Sequence, residues 1–243
     1  MARPPNAERD DPPRPPSPAP RPLFQRLWYE TVRLMALLMF SIQGGVRASG
    51  RQHVPATGGV LLISTHLSHL DVFVLGLTMS RPLNYMARSS LFVPPLGFLI
   101  RSVGGFAIRR EGIGAEGLKE TLRRLRAGGI VALFPEGTRS RDGELAPLKP
   151  GIAALAARTR MPVVPAAVAG TFEAWPRSAR FPRPHPVRIH FGPPIPPEHL
   201  ARLDPEAVTA LLRARILLAQ HEARQGLRRD IGSRGQEAGA RGH

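Results

Sequence analysis

Six apolar runs of four to six residues alternate with longer stretches of helical periodicity, and this alternation constrains the fold more than any other feature of the chain. The first, over residues 59–64, reads Gly-Val-Leu-Leu-Ile-Ser, a continuous apolar segment that ends in a polar residue, as expected of a strand buried on both faces. Further strands are expected over 83–87, 106–109, 130–134, 163–168 and 187–191. Helices are expected over 70–79, 114–127 and 151–158, with a long one over 205–224. Strands that alternate with helices imply an α/β fold: a single domain with a mixed, largely parallel central sheet flanked by helices. The 243 residues and 42% hydrophobic content suit one such domain with a substantial core.

The two ends differ from this body. Residues 1–22 are rich in proline and charge with almost no apolar side chains, so they cannot bury enough surface to offset chain entropy and read as a disordered tail. The first apolar stretch comes late for a secretory signal, and a cleaved signal peptide is not expected. Residues 23–43 then read as a helix, polar-studded at its start and apolar at its end. The uninterrupted run from Leu34 to Phe40 is far shorter than the roughly 20 residues of a spanning helix. This helix therefore fits a place in the membrane interface, with Arg26, Trp28, Tyr29 and Arg33 at headgroup level, or the surface of a soluble core. Residues 44–225 form the expected catalytic domain. Residues 226–243 read as a second disordered tail, basic in character.

Formal net charge is +16, of which +1 lies in residues 1–22 and +3 in residues 224–243, so the folded body itself is basic. A surplus of this size favours anionic partners such as lipid headgroups, phosphorylated small molecules or nucleic acid. Only Lys119 and Lys149 are lysines, and an arginine bias of this kind is also what a GC-rich genome produces. Cysteine is absent, which excludes disulfides, thiolate nucleophiles and cysteine-bearing metal centres.

Polar residues collect where the strands end, the usual place for reactive groups in open α/β sheets. After the first run comes Ser64-Thr65-His66-Leu67-Ser68-His69-Leu70-Asp71. On a continuous helix His66 and Asp71 would lie about 140° apart, so they meet only if the chain turns between them. A strand end, a tight turn and a helix starting near Ser68, with Ser68 as its N-cap, would bring Asp71 back against the imidazole. Asp71 would then fix one tautomer, leaving the other nitrogen to take a proton from an alcohol. Spacing alone equally fits a capping histidine beside a surface aspartate. His69 raises the question of a metal, but no third ligand falls at a zinc spacing, and no metal site is expected.

Two further clusters follow strands. Phe134-Pro135-Glu136-Gly137-Thr138-Arg139-Ser140 joins a glycine-bearing turn to an arginine, a combination suited to a phosphate. Gly104-Gly105-Phe106-Ala107-Ile108-Arg109-Arg110 ends in two arginines that an extended chain would point to opposite faces, so one of them is expected to face the site.

Taken together, these blocks resemble the glycerolipid acyltransferase family, and within it the 1-acyl-glycerol-3-phosphate acyltransferases. The likeness rests on the His66-x4-Asp71 block, the Gly104–Arg110 strand, an unsubstituted Phe-Pro-Glu-Gly-Thr-Arg-Ser, and the apolar strand Val163-Val164-Pro165-Ala166-Ala167-Val168. It runs from about Leu23 to Pro194. Thr65 stands where the family usually has asparagine, and Arg109 where an acidic or other polar residue is common.

The resemblance implies His66 as general base, Asp71 as its orienting partner, and Arg110 and Arg139 as phosphate ligands. Glu136, Gly137 and Thr138 would shape the substrate turn, Pro165 would line the acyl-donor side, and Lys149 matches a lysine often found before the next helix. The implied reaction moves an acyl group from an acyl-CoA or acyl carrier protein thioester to the hydroxyl of a lysophospholipid, with no cofactor. It would take place at the cytoplasmic face of the inner membrane, by a monotopic or peripheral protein that binds no nucleic acid. Acylation of glycerol-3-phosphate or another lysolipid would use the same motifs. A basic scaffold at a membrane surface or on nucleic acid would need no His66/Asp71 pair.

Overall fold

Val60, Leu61, Leu62 and Ile63 have no solvent-exposed surface. Burial of four consecutive side chains, which alternate between the two sides of a strand, requires cover on both faces of the sheet. The computed structural model describes residues 23–42, 44–94, 96–102, 104–108 and 114–240. Its strands are β1 (Val46–Ser49), β2 (Val60–Ser64), β3 (Leu83–Arg88), β4 (Phe106–Ile108), β5 (Ile130–Leu133), β6 (Val163–Ala169) and β7 (Val187–Phe191). They form one sheet in the order β1-β7-β6-β2-β5-β3-β4. The β6–β7 pair is antiparallel and every other pair parallel, giving the mixed, largely parallel sheet that the alternation implies.

The helices are α1 (Leu23–Ile42), α2 (Leu70–Thr78), α3 (Leu96–Ser102), α4 (Ala115–Arg126), α5 (Ile152–Thr159), α6 (Thr171–Ala174), α7 (Pro197–Leu200) and α8 (Pro205–Ala240). The pleat divides the core into two layers. Val60 and Leu62 of β2, Ile130 and Ala132 of β5, and Val164, Ala166 and Val168 of β6 pack with Leu70, Val74, Leu75 and Leu77 of α2 and with Phe40 of α1. Leu61, Ile63, Val131, Leu133 and Val163 pack on the other face against Leu125 of α4, Ile152 and Leu155 of α5, and Val208, Leu212 and Ile216 of α8. From β2 the chain leaves by α2 towards β3, and from its neighbour β6 it leaves in the opposite direction towards β7. That reversal opens a crevice at the carboxyl ends of β2 and β6.

Helix α1 covers the range expected from the sequence, and only part of it meets the core. Phe40 is buried, whereas Leu23, Phe24, Leu27, Leu34, Met35 and Leu38 are all at least 59% exposed. These six residues lie within an arc of about 120°. Residues 1–22, read as a tail, lie outside the described residues.

The structure adds one strand and three short helices that the sequence did not announce, β1, α3, α6 and α7, and corrects the reading of residues 226–243. Strand β1 has no apolar run of its own and forms by pairing with β7. Helix α8 continues to Ala240 instead of giving way to a tail at residue 226. Its far half finds partners on strands remote in sequence. Ala223 and Leu227 pack with Ala169. Gly226 lies so close to Arg188 that a Cβ there would sit 2.7 Å from Nε. Asp230 accepts from Arg47 Nη1 at 2.6 Å and from Arg188 Nη1 at 2.8 and 3.0 Å. Composition alone carries no trace of such contacts.

Burial raises the Asp230 carboxyl, but hydrogen bonds from Arg188 and Arg47 outweigh it and hold the group below its ordinary value. The stabilisation from this pairing is therefore present above the ordinary carboxylate range and lost as pH falls through the depressed value. Asp230→Asn should speed amide exchange over residues 226–240 by about tenfold at neutral pH. The variant should also lack the acid-dependent loosening of this segment that hydrogen-exchange mass spectrometry would record in the unsubstituted protein.

Candidate active site

His66 and Asp71 meet because the Asp71 carboxylate holds the turn between them. Its Oδ2 accepts from Leu67 N at 2.6 Å and from Ser68 N at 2.8 Å, and it lies 3.0 Å from His66 Nδ1. Its Oδ1 accepts from Thr171 Oγ1 at 2.6 Å. A carboxylate in the first turn of α2 thus satisfies backbone donors of the loop that leads into the helix. Ser68 was expected to cap α2, and it does so only in part. Its Oγ accepts from Leu70 N at 3.3 Å, and it donates to Trp175 O at 2.9 Å, tying the loop to the segment after β6. Because Asp71 accepts at Nδ1, that nitrogen carries the proton and Nε2 is left as an acceptor. Asp71 is wholly buried, while the His66 side chain keeps 18% of its surface exposed.

Residues 134–140 surround His66 on three sides. The Phe134 ring stacks on the imidazole with centroids 4.0 Å apart and an interplanar angle of 17°. Glu136 Oε1 accepts from His66 N at 2.8 Å, and Ser140 N donates to His66 O at 2.7 Å. Glu136 is 2% exposed, and its other oxygen accepts from Ala146 N at 3.0 Å. Its carboxylate therefore acts on the site through backbone that it holds in place. Burial raises the Glu136 carboxyl above its ordinary value, only partly countered by the donors Ala146 and His66.

Gly137 has φ +68°, in the left-handed region, and a Cβ there would press on the Lys149 stem at 3.2 Å. Lys149 N in turn donates to Pro135 O at 2.8 Å, so this lysine borders the turn. Thr138 is exposed at the rim and Arg139 half-buried beside it. Desolvation draws the Arg139 guanidinium below its ordinary value, with the like charge of Arg177 adding and Asp71 opposing. Desolvation, Arg139 and His66 lower His69 in the same way, again opposed by Asp71. A bound anion would relieve the repulsion between Arg139 and Arg177.

Arg110 lies outside the described residues. Pro165 is buried within β6 in register with Ile63, and its ring packs on Gly192. Thr65, the departure from asparagine, is buried and accepts from Val168 N at 3.2 Å, extending the contact between β2 and β6. Among the described residues, no group of His, Asp and Glu could hold a metal. Thr171, on Asp71, and Trp175, on Ser68 and His69, were not singled out in the sequence, and Phe134 was quoted there with no role of its own. The only local signal for Thr171 was a Gly-Thr step at the exit of an apolar strand.

Glu136→Gln tests the backbone role of this carboxylate. One end of the amide can still accept, but its NH2 would face the N–H of either His66 or Ala146. The variant should lose about 1–3 kcal/mol in urea denaturation.

Comparison with known proteins places this geometry in context. The Acyltransferase family model matches residues 45–169, just over half of the chain. The 1-acyl-sn-glycerol-3-phosphate acyltransferase of Bacillus subtilis (strain 168) is 33% identical over 135 residues, 55% of this chain and 67% of that protein. The enzyme of the same name from Limnanthes douglasii is 32% identical over 154 residues, 62% of this chain, and the match spans only 54% of its own length. In the crystal structure of PlsC, the 1-acyl-sn-glycerophosphate acyltransferase of Thermotoga maritima, the fold is the same. The TM-score is 0.62 at 23% identity, over 78% of this chain and 80% of that one. The matched segment runs from β1 to the end of β6 and includes the His66/Asp71 loop and the turn that encloses it, and the chain belongs to the acyltransferase family.

Proposed function

We propose that this acyltransferase moves an acyl group from a thioester to the free hydroxyl of a lysophospholipid, with 1-acyl-sn-glycerol-3-phosphate as acceptor and phosphatidic acid as product. The observation that carries the reading is the oriented imidazole: Nδ1 is committed to a buried carboxylate 3.0 Å away, and the ring is part-exposed. His66 Nε2 takes the hydroxyl proton as the acceptor oxygen attacks the thioester carbonyl. The tetrahedral intermediate then collapses, the carbon–sulfur bond breaks, and the imidazolium returns its proton to the departing thiolate. Ester and free thiol are the products, and no covalent enzyme intermediate is needed. The thioester is already activated, so positioning of the alcohol supplies much of the acceleration.

A phosphate on the acceptor is favoured by Arg139, which forms no ion pair among the described residues and lies close enough to Asp71 and Arg177 to feel their charges. Thr138, Gly137 and Lys149 border the same turn, and Arg110 is assigned to the phosphate by resemblance. The names of the relatives support this acceptor class. The donor is an acyl-CoA or an acyl carrier protein, both anionic and suited to a chain of net charge +16.

A lipid acceptor and a lipid product call for access to a membrane. No helix of the described residues is long and apolar enough to cross one. The exposed apolar arc of α1 fits an interfacial seat in the cytoplasmic leaflet, where anionic headgroups would meet the basic body.

An assay of detergent-solubilised protein with a labelled acyl thioester and a panel of lysolipids tests the reaction. His66→Ala should lower kcat by about two to four orders of magnitude, and unchanged turnover would sink the mechanism. Arg139→Ala should raise KM for 1-acyl-sn-glycerol-3-phosphate about tenfold while leaving KM for the thioester nearly as it was. Equal effects on both substrates would count against the phosphate clamp.

A further inference from the structure

Asp71 Oδ2 is supplied by Leu67 N, Ser68 N and His66 Nδ1, whereas Oδ1 has one donor among the described residues, Thr171 Oγ1 at 2.6 Å. Both Asp71 and Thr171 are 0% exposed, so no solvent can stand in for that donor. The hydroxyl comes from the other side of the crevice, from the first residue of α6, two residues beyond the end of β6. Gly170 delivers it there. Its φ is +92°, and a Cβ at this position would lie 2.1 Å from Pro186 O, so only glycine allows the strand to turn so sharply into Thr171. The same segment is tied to the catalytic loop a second time through Ser68 Oγ and Trp175 O at 2.9 Å.

We infer that Thr171 is a positioning residue of the acyl transfer, a third member of the His66–Asp71 relay that locks the Asp71 carboxylate in the orientation that presents Oδ2 to His66 Nδ1. An ionised carboxylate can only accept, so the hydroxyl must donate. Without it, Oδ1 is a buried oxygen with no partner, and the carboxylate gains by turning to share the donors that now hold Oδ2. Such rotation leaves the imidazole without a fixed tautomer, as in other triads whose carboxylate is altered. The effect reaches the chemistry through His66 alone, since Thr171 is wholly buried and its hydroxyl is committed to Asp71.

The inference rests on the acyl-transfer reading for its kinetic consequence but not for its structural one, and two measurements separate them. Thr171→Val keeps the shape and removes the donor, while Thr171→Ser keeps the donor. In the lysolipid assay, Val should lower kcat about 10- to 100-fold with KM for acceptor and thioester within about twofold, and Ser should restore kcat to within about threefold. Without any substrate, the His66 Nδ1 proton should show in nitrogen-15 NMR as a hydrogen-bonded resonance in the unsubstituted and Ser proteins, and broaden or vanish in Val. Melting temperatures of all three exclude a folding defect. A Val variant with unchanged kcat and an unchanged Nδ1 resonance overturns the inference. So does a Ser variant as impaired as Val, because packing and not the hydroxyl would then be responsible. If no lysolipid is acylated but the Nδ1 resonance responds as described, the acyl-transfer reading fails and the role of Thr171 in the relay stands.

Discussion

A single buried carboxylate organises the site. Asp71 has no contact with solvent, and its two oxygens are satisfied by donors from its own loop, from His66 and from the segment beyond β6. A buried carboxylate left short of partners costs several kcal/mol, so the loop, the imidazole and the start of α6 are held where the carboxylate needs them. The dependence is mutual. Four residues lie between His66 and Asp71, and no regular helix would let them touch; the turn that does so exists because Leu67 N and Ser68 N point at Oδ2.

The rest of the fold can be understood as the frame for that turn. Parallel strands β2, β5 and β6 release their following loops at the same edge of the sheet, which puts residues far apart in sequence within hydrogen-bonding distance. Glu136 is the clearest instance. Its buried carboxylate bridges the backbone of His66 and of Ala146, and with the Phe134 stack and the Ser140 hydrogen bond it fixes His66 by its amide, its carbonyl and its ring. Buried side chains thus hold the imidazole in place, while exposed Thr138 and half-buried Arg139 stand at the rim. Burial of the groups that hold His66, beside polar groups left accessible at the rim, is the arrangement expected of a preorganised site.

The periphery follows a different logic. Helix α1 buries Phe40 and leaves six large apolar side chains in the open, more than a helix covering a water-facing core has reason to show. Helix α8 does the reverse: its basic, glycine-bearing far half looks solvent-loving by composition, yet Asp230 and Leu227 anchor it to β1, β7 and β6. One end of the chain thus offers apolar surface, and the other is drawn onto the sheet by paired charges.

How much of this was legible depended on how local its cause is. Six of the seven strands, the buried character of β2, and helices α1, α2, α4 and α5 followed from periodicity, because side-chain alternation and helical repeat are properties of contiguous residues. The residues of the candidate site were legible too, since His66, Asp71 and the Phe134–Ser140 block stand immediately after strands. Strand β1 was not, because Val46–Ser49 becomes a strand only by pairing with Val187–His190, more than a hundred residues away. The ordered far half of α8 and the buried bridge of Glu136 escaped for the same reason. Thr171 escaped because its importance lies in a carboxylate exactly one hundred residues earlier in the chain, brought close by the β2–β6 pairing. By itself the sequence determined the α/β architecture and which residues could do the chemistry; only the tertiary structure decided which oxygen of Asp71 faces His66 and what keeps it there, because hydrogen-bond orientation is set by partners that meet through folding.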